Sequence, residues 1–317
     1  MALAAPIWRA YCGSHIDHGL IRREIDMNVL ERISLVCLSG LLVACASSAP
    51  GRNGKESVER VPVAVQTDSG VISGTLVVTV HAPSAPGKHP LLIINHGRGA
   101  TAEERAKMSR YQYPQAVKYF TDAGFVVAVP LRMGYGETGG PDLEDSGPCD
   151  DRQFTPMFNR AASQIGQVVK ALQQRPEVEA SNVVLVGQSI GGGTVIALAA
   201  QHPSGVRTAI NFSGGAGGDA KSPGNPCGPD RLEQTFAAYG QTTRLPTLWI
   251  YAENDLFWGT QWPRRWVDAY NAAGGHATFV PMGPDGTNGH LLFPRSPQKW
   301  QPVVAEFLRA QGYDMPK

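Results

Sequence analysis

The 317-residue chain carries little charge and almost no excess of either sign. Charged residues make up 17%, and 28 Lys and Arg stand against 27 Asp and Glu, a net of +1. A polyanion-binding surface needs a basic excess or stripe, so nothing points to nucleic acid as a partner. The apolar stretch from Ile33 to Ala44 is too short to cross a bilayer as a helix. Heptads, fixed-period repeats and long low-complexity tracts are missing, which argues against a coiled coil or a repeat array. Cysteine is sparse, with five residues in the whole chain.

What is present begins with an N-terminal region that does not read as fold. From Met27 the sequence runs MNVLERISLVCLSGLLVACASSAPG: a basic residue at Arg32, the apolar stretch, then small residues. That order is the pattern of a secretory signal, over residues 27–44. Its end, Leu42-Val43-Ala44-Cys45, resembles a bacterial lipobox. The resemblance implies lipidation of Cys45 and anchoring to the periplasmic side of the outer membrane. A plain signal peptide cut nearby, or a buried helix, is the alternative. Since a signal stands near a chain start, residues 1–26 read as an upstream extension. Residues 45–60 are polar and glycine-bearing and read as a flexible tether. Residues 61–317 read as one folded domain.

Export has a consequence for the cysteines. Cys12 and Cys37 fall in the leader and Cys45 would carry lipid, leaving Cys149 and Cys227 in the loops SGPCDD and NPCGPD. An even pair of loop cysteines in an oxidising compartment predicts a disulfide, with two free thiols as the alternative.

From Val61 onward apolar strand-like runs alternate with helical stripes. VPVAVQTD and GVISGTLVVTVHAP suggest an opening antiparallel pair. HPLLIINHG and GFVVAVPLRM are continuous apolar runs, as strands buried on both faces require. Phe158, Ala162, Ile165, Val169 and Leu172 recur at three- and four-residue steps, the stripe of an amphipathic helix. RTAINFSGG, PTLWIYAEND and HATFVPMGP supply three more strands. Trp262, Trp266 and Tyr270 stripe a helix between the last two, and a helix opened by Ser296-Pro297 closes the chain. The alternation predicts an α/β fold, a mostly parallel sheet with helices on both faces. Ligands of such sheets bind beyond the carboxyl ends of the strands.

One such end is NVVLVGQSIGGGTVIALAA, residues 182–200. A β-branched run, a glycine-fenced serine and an apolar helix follow one another. A serine hydroxyl needs a base to become a nucleophile and must stand clear of the backbone. A tight strand-to-helix turn presents it, and Gly187 and Gly191 leave room for the turn. The free N–H groups of the helix start favour a developing oxyanion. This is the nucleophile elbow, Gly-x-Ser-x-Gly, with Ser189 at its point. A phosphate-binding loop would carry a lysine that this stretch lacks.

On these residues, with NHGRG at 95–99, LRMGYGETGG at 131–140, YAEND at 251–255 and NGH at 288–290, the chain resembles the α/β-hydrolases. The nearest branches are the dienelactone-hydrolase-like proteins and serine esterases. Dienelactone hydrolases proper use cysteine as nucleophile, and here the position holds serine. The resemblance implies a Ser-His-Asp triad in the order Ser189, Asp255, His290, an acyl-enzyme intermediate, ester substrates and no cofactor. Asp255 ends its strand where the family places the acid, with Glu253 and Asp230 as rivals. His290 lies in the loop after the last strand, where the family places the base. The oxyanion hole would be the backbone N–H groups of Ile190, after the nucleophile, and of Arg98. A peptidase with the same machinery and a non-catalytic binding module are the competing functions.

Two segments stay outside this scheme. PDLEDSGPCDD, residues 141–151, is rich in carboxylates and reads as a solvated acidic loop rather than a metal site. Residues 214–240 are too long for a plain connection and read as an irregular wall of the pocket.

Overall fold

The computed structural model describes residues 54–316. Eight strands form one sheet: β1 (Lys55–Thr67), β2 (Gly70–Ala82), β3 (His89–Asn95), β4 (Val126–Leu131), β5 (Val178–Gln188), β6 (Val206–Phe212), β7 (Pro246–Ala252) and β8 (His276–Met282). Their order across the sheet is β1-β2-β4-β3-β5-β6-β7-β8. β2 pairs antiparallel with β1 and with β4, and every other pairing is parallel.

The central strands carry apolar runs where both faces are covered, and the side chains of those runs sort with a period of two. Leu91 and Ile93 of β3, Val183 and Leu185 of β5, and Trp249 and Tyr251 of β7 join one core. Their neighbours Leu92, Ile94, Val184, Val186, Leu248 and Ile250 join the other. The helices α3 (Phe154–Leu172), α4 (Ile190–Ala199), α5 (Pro229–Thr242) and α6 (Gln261–Ala272) contribute to the first core. The second takes α2 (Pro114–Asp122) and α8 (Pro297–Ala310), whose Trp300 packs on Phe120, Phe212 and Phe293. Two short helices, α1 (Ala102–Ala106) and α7 (Leu292–Arg295), lie in loops at the carboxyl ends of β3 and β8.

Two expectations need correction. The tether does not run to residue 60, because β1 begins at Lys55 and Lys55–Arg60 pair with Val77–Ala82. These residues are largely exposed, as an edge strand allows, and their polarity mimics a linker. The segment 214–240 is not irregular throughout, since its second half is α5. Pro229 opens that helix and Leu232, Phe236 and Tyr239 stripe its buried face. Asp230 therefore sits in the first turn of a helix, exposed and paired with Arg265 at 2.9 Å. The leader and Cys45 lie outside the described residues.

Candidate active site

β5 delivers the chain to Ser189, which has φ 57° and ψ −124°. Such a conformation costs a non-glycine residue about 1–3 kcal/mol and persists only where its surroundings impose it. Here the Ser189 N–H donates to Phe212 O at 3.0 Å, and its carbonyl accepts from Gly192, Gly193 and Gly215. Gly191 lets the start of α4 press against the end of β3. A Cβ there would stand 2.1 Å from Asn95 O. All ten residues of α4 are buried, and Ile190 at its amino end lines the cleft described below.

β7 and β8 supply the second part. The turn after β7 buries Asp255, whose Oδ1 accepts from the Phe257 N–H at 2.8 Å. His290, in the loop after β8, brings Nδ1 to 2.9 Å from Asp255 Oδ2 and 3.1 Å from Oδ1. A carboxylate only accepts, so Nδ1 carries a proton. The Phe257 ring stacks on the imidazole at 4.0 Å and Trp258 meets it edge-on at 5.6 Å. Glu253 and Asp230 are exposed, and neither reaches His290 within bonding distance.

Two asparagines hold the loops of Asp255 and His290 together. Asn288 Oδ1 accepts from the N–H groups of Leu256 and His290 at 3.3 and 3.1 Å. Asn254 bridges to Asp285 and Gly286 through its side chain, and its carbonyl accepts from Gly289. Both asparagines lie in the motifs YAEND and NGH, where nothing in the residue pattern marks them as bridges.

The loop after β3 lies against the elbow. A Cβ on Gly97 would be 3.3 Å from Ser189 Cβ and 2.5 Å from Gln188 Oε1. The N–H groups of Ile190 and Arg98 donate to no acceptor among the described residues, as an oxyanion hole requires. The Arg98 side chain turns away and grips Asp142 through both oxygens, at 2.7 and 2.5 Å. Behind it Arg132 is fully buried. It binds Glu144 and donates to Asn95 Oδ1 at 2.5 Å and His96 O at 2.8 Å. Tyr135 donates to Glu144 Oε2 at 2.5 Å. Asp142 and Glu144 of the acidic loop are thus bound to arginines rather than solvated. Burial raises Asp142, but the Arg98 and Arg105 partners outweigh it and hold the carboxyl below its ordinary value. Burial, with the Arg132 charge second, holds His96 well below the usual imidazole range. His96 is therefore neutral, donating from Nδ1 to Gly97 O and accepting at Nε2 from the Arg132 N–H.

Ser189, Ile190, Arg98, Phe257 and Trp258 line a cleft of about 710 Å³. Gly215–Lys221 form part of its wall, so the first half of the 214–240 segment does what was expected of it. A disulfide joins Cys149 and Cys227, Cα atoms 5.0 Å apart, and ties this segment to the acidic loop. Tyr251, whose hydroxyl burial pushes upward, donates to Gly214 O at 2.6 Å and fixes the segment's start. A second hollow of about 430 Å³, beside Arg110 and Tyr111, shares no lining residue with the cleft.

Ser189 lines the cleft and His290 stacks on Phe257, which lines it too, while no hydrogen bond joins Ser189 Oγ to the ring among the described residues. Contacts of this kind tighten when a substrate is bound.

Residues 88–272 match the family described as serine aminopeptidase, S33. A relative from Nocardia uniformis subsp. tsuyamanensis, named "Putative esterase NocK", is 30% identical over 206 residues. The match takes in 62% of this chain and 52% of the relative, so the chain spans about half the length of the curated relative it matches. Among solved structures, the acetyl xylan esterase from Paenibacillus sp. R4 superposes with a TM-score of 0.54 at 15% identity, over 81% of this chain and 89% of that one. The "Putative Dienelactone Hydrolase" from Klebsiella pneumoniae subsp. pneumoniae MGH 78578 does so with a TM-score of 0.51 at 16% identity, over 80% and 99%. At such identities the structural likeness establishes the fold alone, which is that of the α/β-hydrolases.

Proposed function

The chain belongs to the serine aminopeptidase S33 family, and we propose that it is a serine hydrolase of small carboxylic esters. Ser189 Oγ attacks the ester carbonyl carbon while His290 Nε2 takes its proton. His290 passes that proton to the leaving alcohol, an acyl group stays on Ser189, and water repeats the sequence to release the acid. Asp255 holds the Nδ1–H tautomer and balances the imidazolium charge. The N–H groups of Ile190 and Arg98 receive the oxyanion, each donor contributing about 3 kcal/mol to the transition state.

The observation that carries this reading is the pairing of His290 Nδ1 with both oxygens of buried Asp255, at the strand ends where Ser189 is held at φ 57°. Ester rather than peptide substrates are favoured by the relative named "Putative esterase NocK", 30% identical over 206 residues, while the family's own description makes a peptidase the second reading. A panel of p-nitrophenyl acetate and butyrate beside aminoacyl p-nitroanilides tests the choice. Turnover of the esters with little of the amides is expected, and the opposite ranking would make the chain a peptidase.

The same reading keeps Cys45 as a lipid anchor that leaves the enzyme on the periplasmic side of the envelope. Labelled palmitate should enter the protein expressed from Met27, and Cys45→Ala should abolish incorporation without loss of esterase activity. Unlabelled wild-type protein from a host that processes lipoproteins would leave a soluble exported enzyme.

A further inference from the structure

Three pieces of the site come from different parts of the chain: the oxyanion loop after β3, the elbow after β5 and the base loop after β8. One run of side-chain hydrogen bonds joins all three. The Gly97 N–H donates to Tyr113 Oη at 3.2 Å. Tyr113 Oη–H donates to Gln188 Oε1 at 3.3 Å. Gln188 Nε2 donates to the carbonyl of His290 at 3.1 Å. Every donor points the same way, so each bond polarises the next. Gly97 precedes Arg98, Gln188 precedes Ser189, and His290 is the base itself, so each anchor lies within one residue of a reacting group.

We infer that Tyr113 and Gln188 are positioning residues that set the oxyanion donor, the nucleophile and the base in register. Neither lines the cleft, which Ser189 and Arg98 do. Three further observations support the assignment. Tyr113 adopts φ 54°, a left-handed conformation, immediately before Pro114 at the first turn of α2. A tyrosine gains nothing locally from that geometry, and its surroundings impose it. The phenol is buried, and burial pushes its hydroxyl up to about 12, so it remains a donor through the working range of a hydrolase. Gln188 Oε1 also fills the space that a Cβ on Gly97 would need, at 2.5 Å, so the loop and the amide are fitted to one another.

The inference rests on the hydrolase reading and is tested through it with Tyr113→Phe, Gln188→Met and the double variant. Displacing reacting groups by a fraction of an ångström lowers turnover more than substrate binding, so each single variant should lose about tenfold or more in kcat with KM little changed. Inhibition by a trifluoromethyl ketone, which mimics the tetrahedral intermediate, should weaken by the same factor as kcat/KM. Because the two side chains act in one chain of bonds, the double variant should be about as slow as the slower single variant. A structural role alone predicts a lowered melting temperature with kcat and inhibitor affinity preserved. Preserved values within about twofold in both single variants, or losses that multiply in the double variant, would overturn the inference. Gln188→Met keeps the Tyr113 ring packed and decides the matter if Tyr113→Phe does not fold. Failure of the hydrolase reading looks different: wild-type protein would then turn over no ester at all.

Discussion

Removing the Cys149–Cys227 disulfide, as Cys149→Ser with Cys227→Ser, separates the energetics of the cleft wall from its chemistry. The two cysteines are 78 residues apart. Cross-linking a loop of that length removes about 15 cal/mol/K of entropy from the unfolded chain, about 4.5 kcal/mol at 25 °C. This is a ceiling, and the structure shows why the folded protein survives the loss. The wall remains stitched by Cys227 N–H to Gly217 O at 2.8 Å, Trp262 Nε1 to Gly224 O at 3.0 Å and Gly224 N–H to Leu256 O at 3.2 Å. The double variant should therefore fold and lose about 2–4 kcal/mol. Equilibrium urea unfolding measures it. The midpoint should fall and the m-value rise, because the uncrosslinked chain exposes more surface when it unfolds. In the same samples KM for esters should rise more than kcat falls, since Gly215–Lys221 form the cleft wall. A loss below about 0.5 kcal/mol, or free thiols at both cysteines in protein from an oxidising compartment, would refute the reasoning.

Three other perturbations follow from the same geometry. Asp255→Asn leaves packing in place but offers His290 the wrong tautomeric partner, and kcat should fall about 10⁴-fold with normal unfolding. Arg132→Met strands Glu144 in the core and should cost about 3–5 kcal/mol, most of it recovered on adding Glu144→Leu, both read by urea unfolding. His96 is held neutral in the native state while the unfolded chain protonates near 6.5, so the unfolded state binds more protons below that pH. Stability should decline as pH falls below about 6.5, by up to about 1.4 kcal/mol per pH unit. His96→Gln should flatten that decline, leaving the part due to His81, whose value burial also lowers.

The fold was legible where burial dictates composition. Leu91–Ile94 of β3, all of β4, Val183–Val186 of β5 and Leu248–Ala252 of β7 are apolar and buried on both faces. The elbow was legible because its glycines answer to backbone contacts that any Cβ would violate. Legibility failed where polar residues have tertiary partners. Lys55–Arg60 form a strand only because β2 supplies its ladder. The carboxylates of residues 142 and 144 look solvated until the fold brings Arg98, Arg105 and Arg132 to them from distant segments. The helix α5 was hidden by the glycine- and proline-rich run before it, although Leu232, Phe236 and Tyr239 carried its period. Asn254 and Asn288 were invisible as functional residues because they bind backbone, and backbone positions are not written in sequence.

The central claim is that Ser189 is an activated nucleophile. Incubating the folded protein with a fluorophosphonate probe and locating the adduct by peptide mass spectrometry tests it directly. The account predicts one adduct per chain, on Ser189, absent in Ser189→Ala and formed much more slowly in Asp255→Asn. Folded wild-type protein that takes up no probe, or labelling that persists in Ser189→Ala, would contradict it.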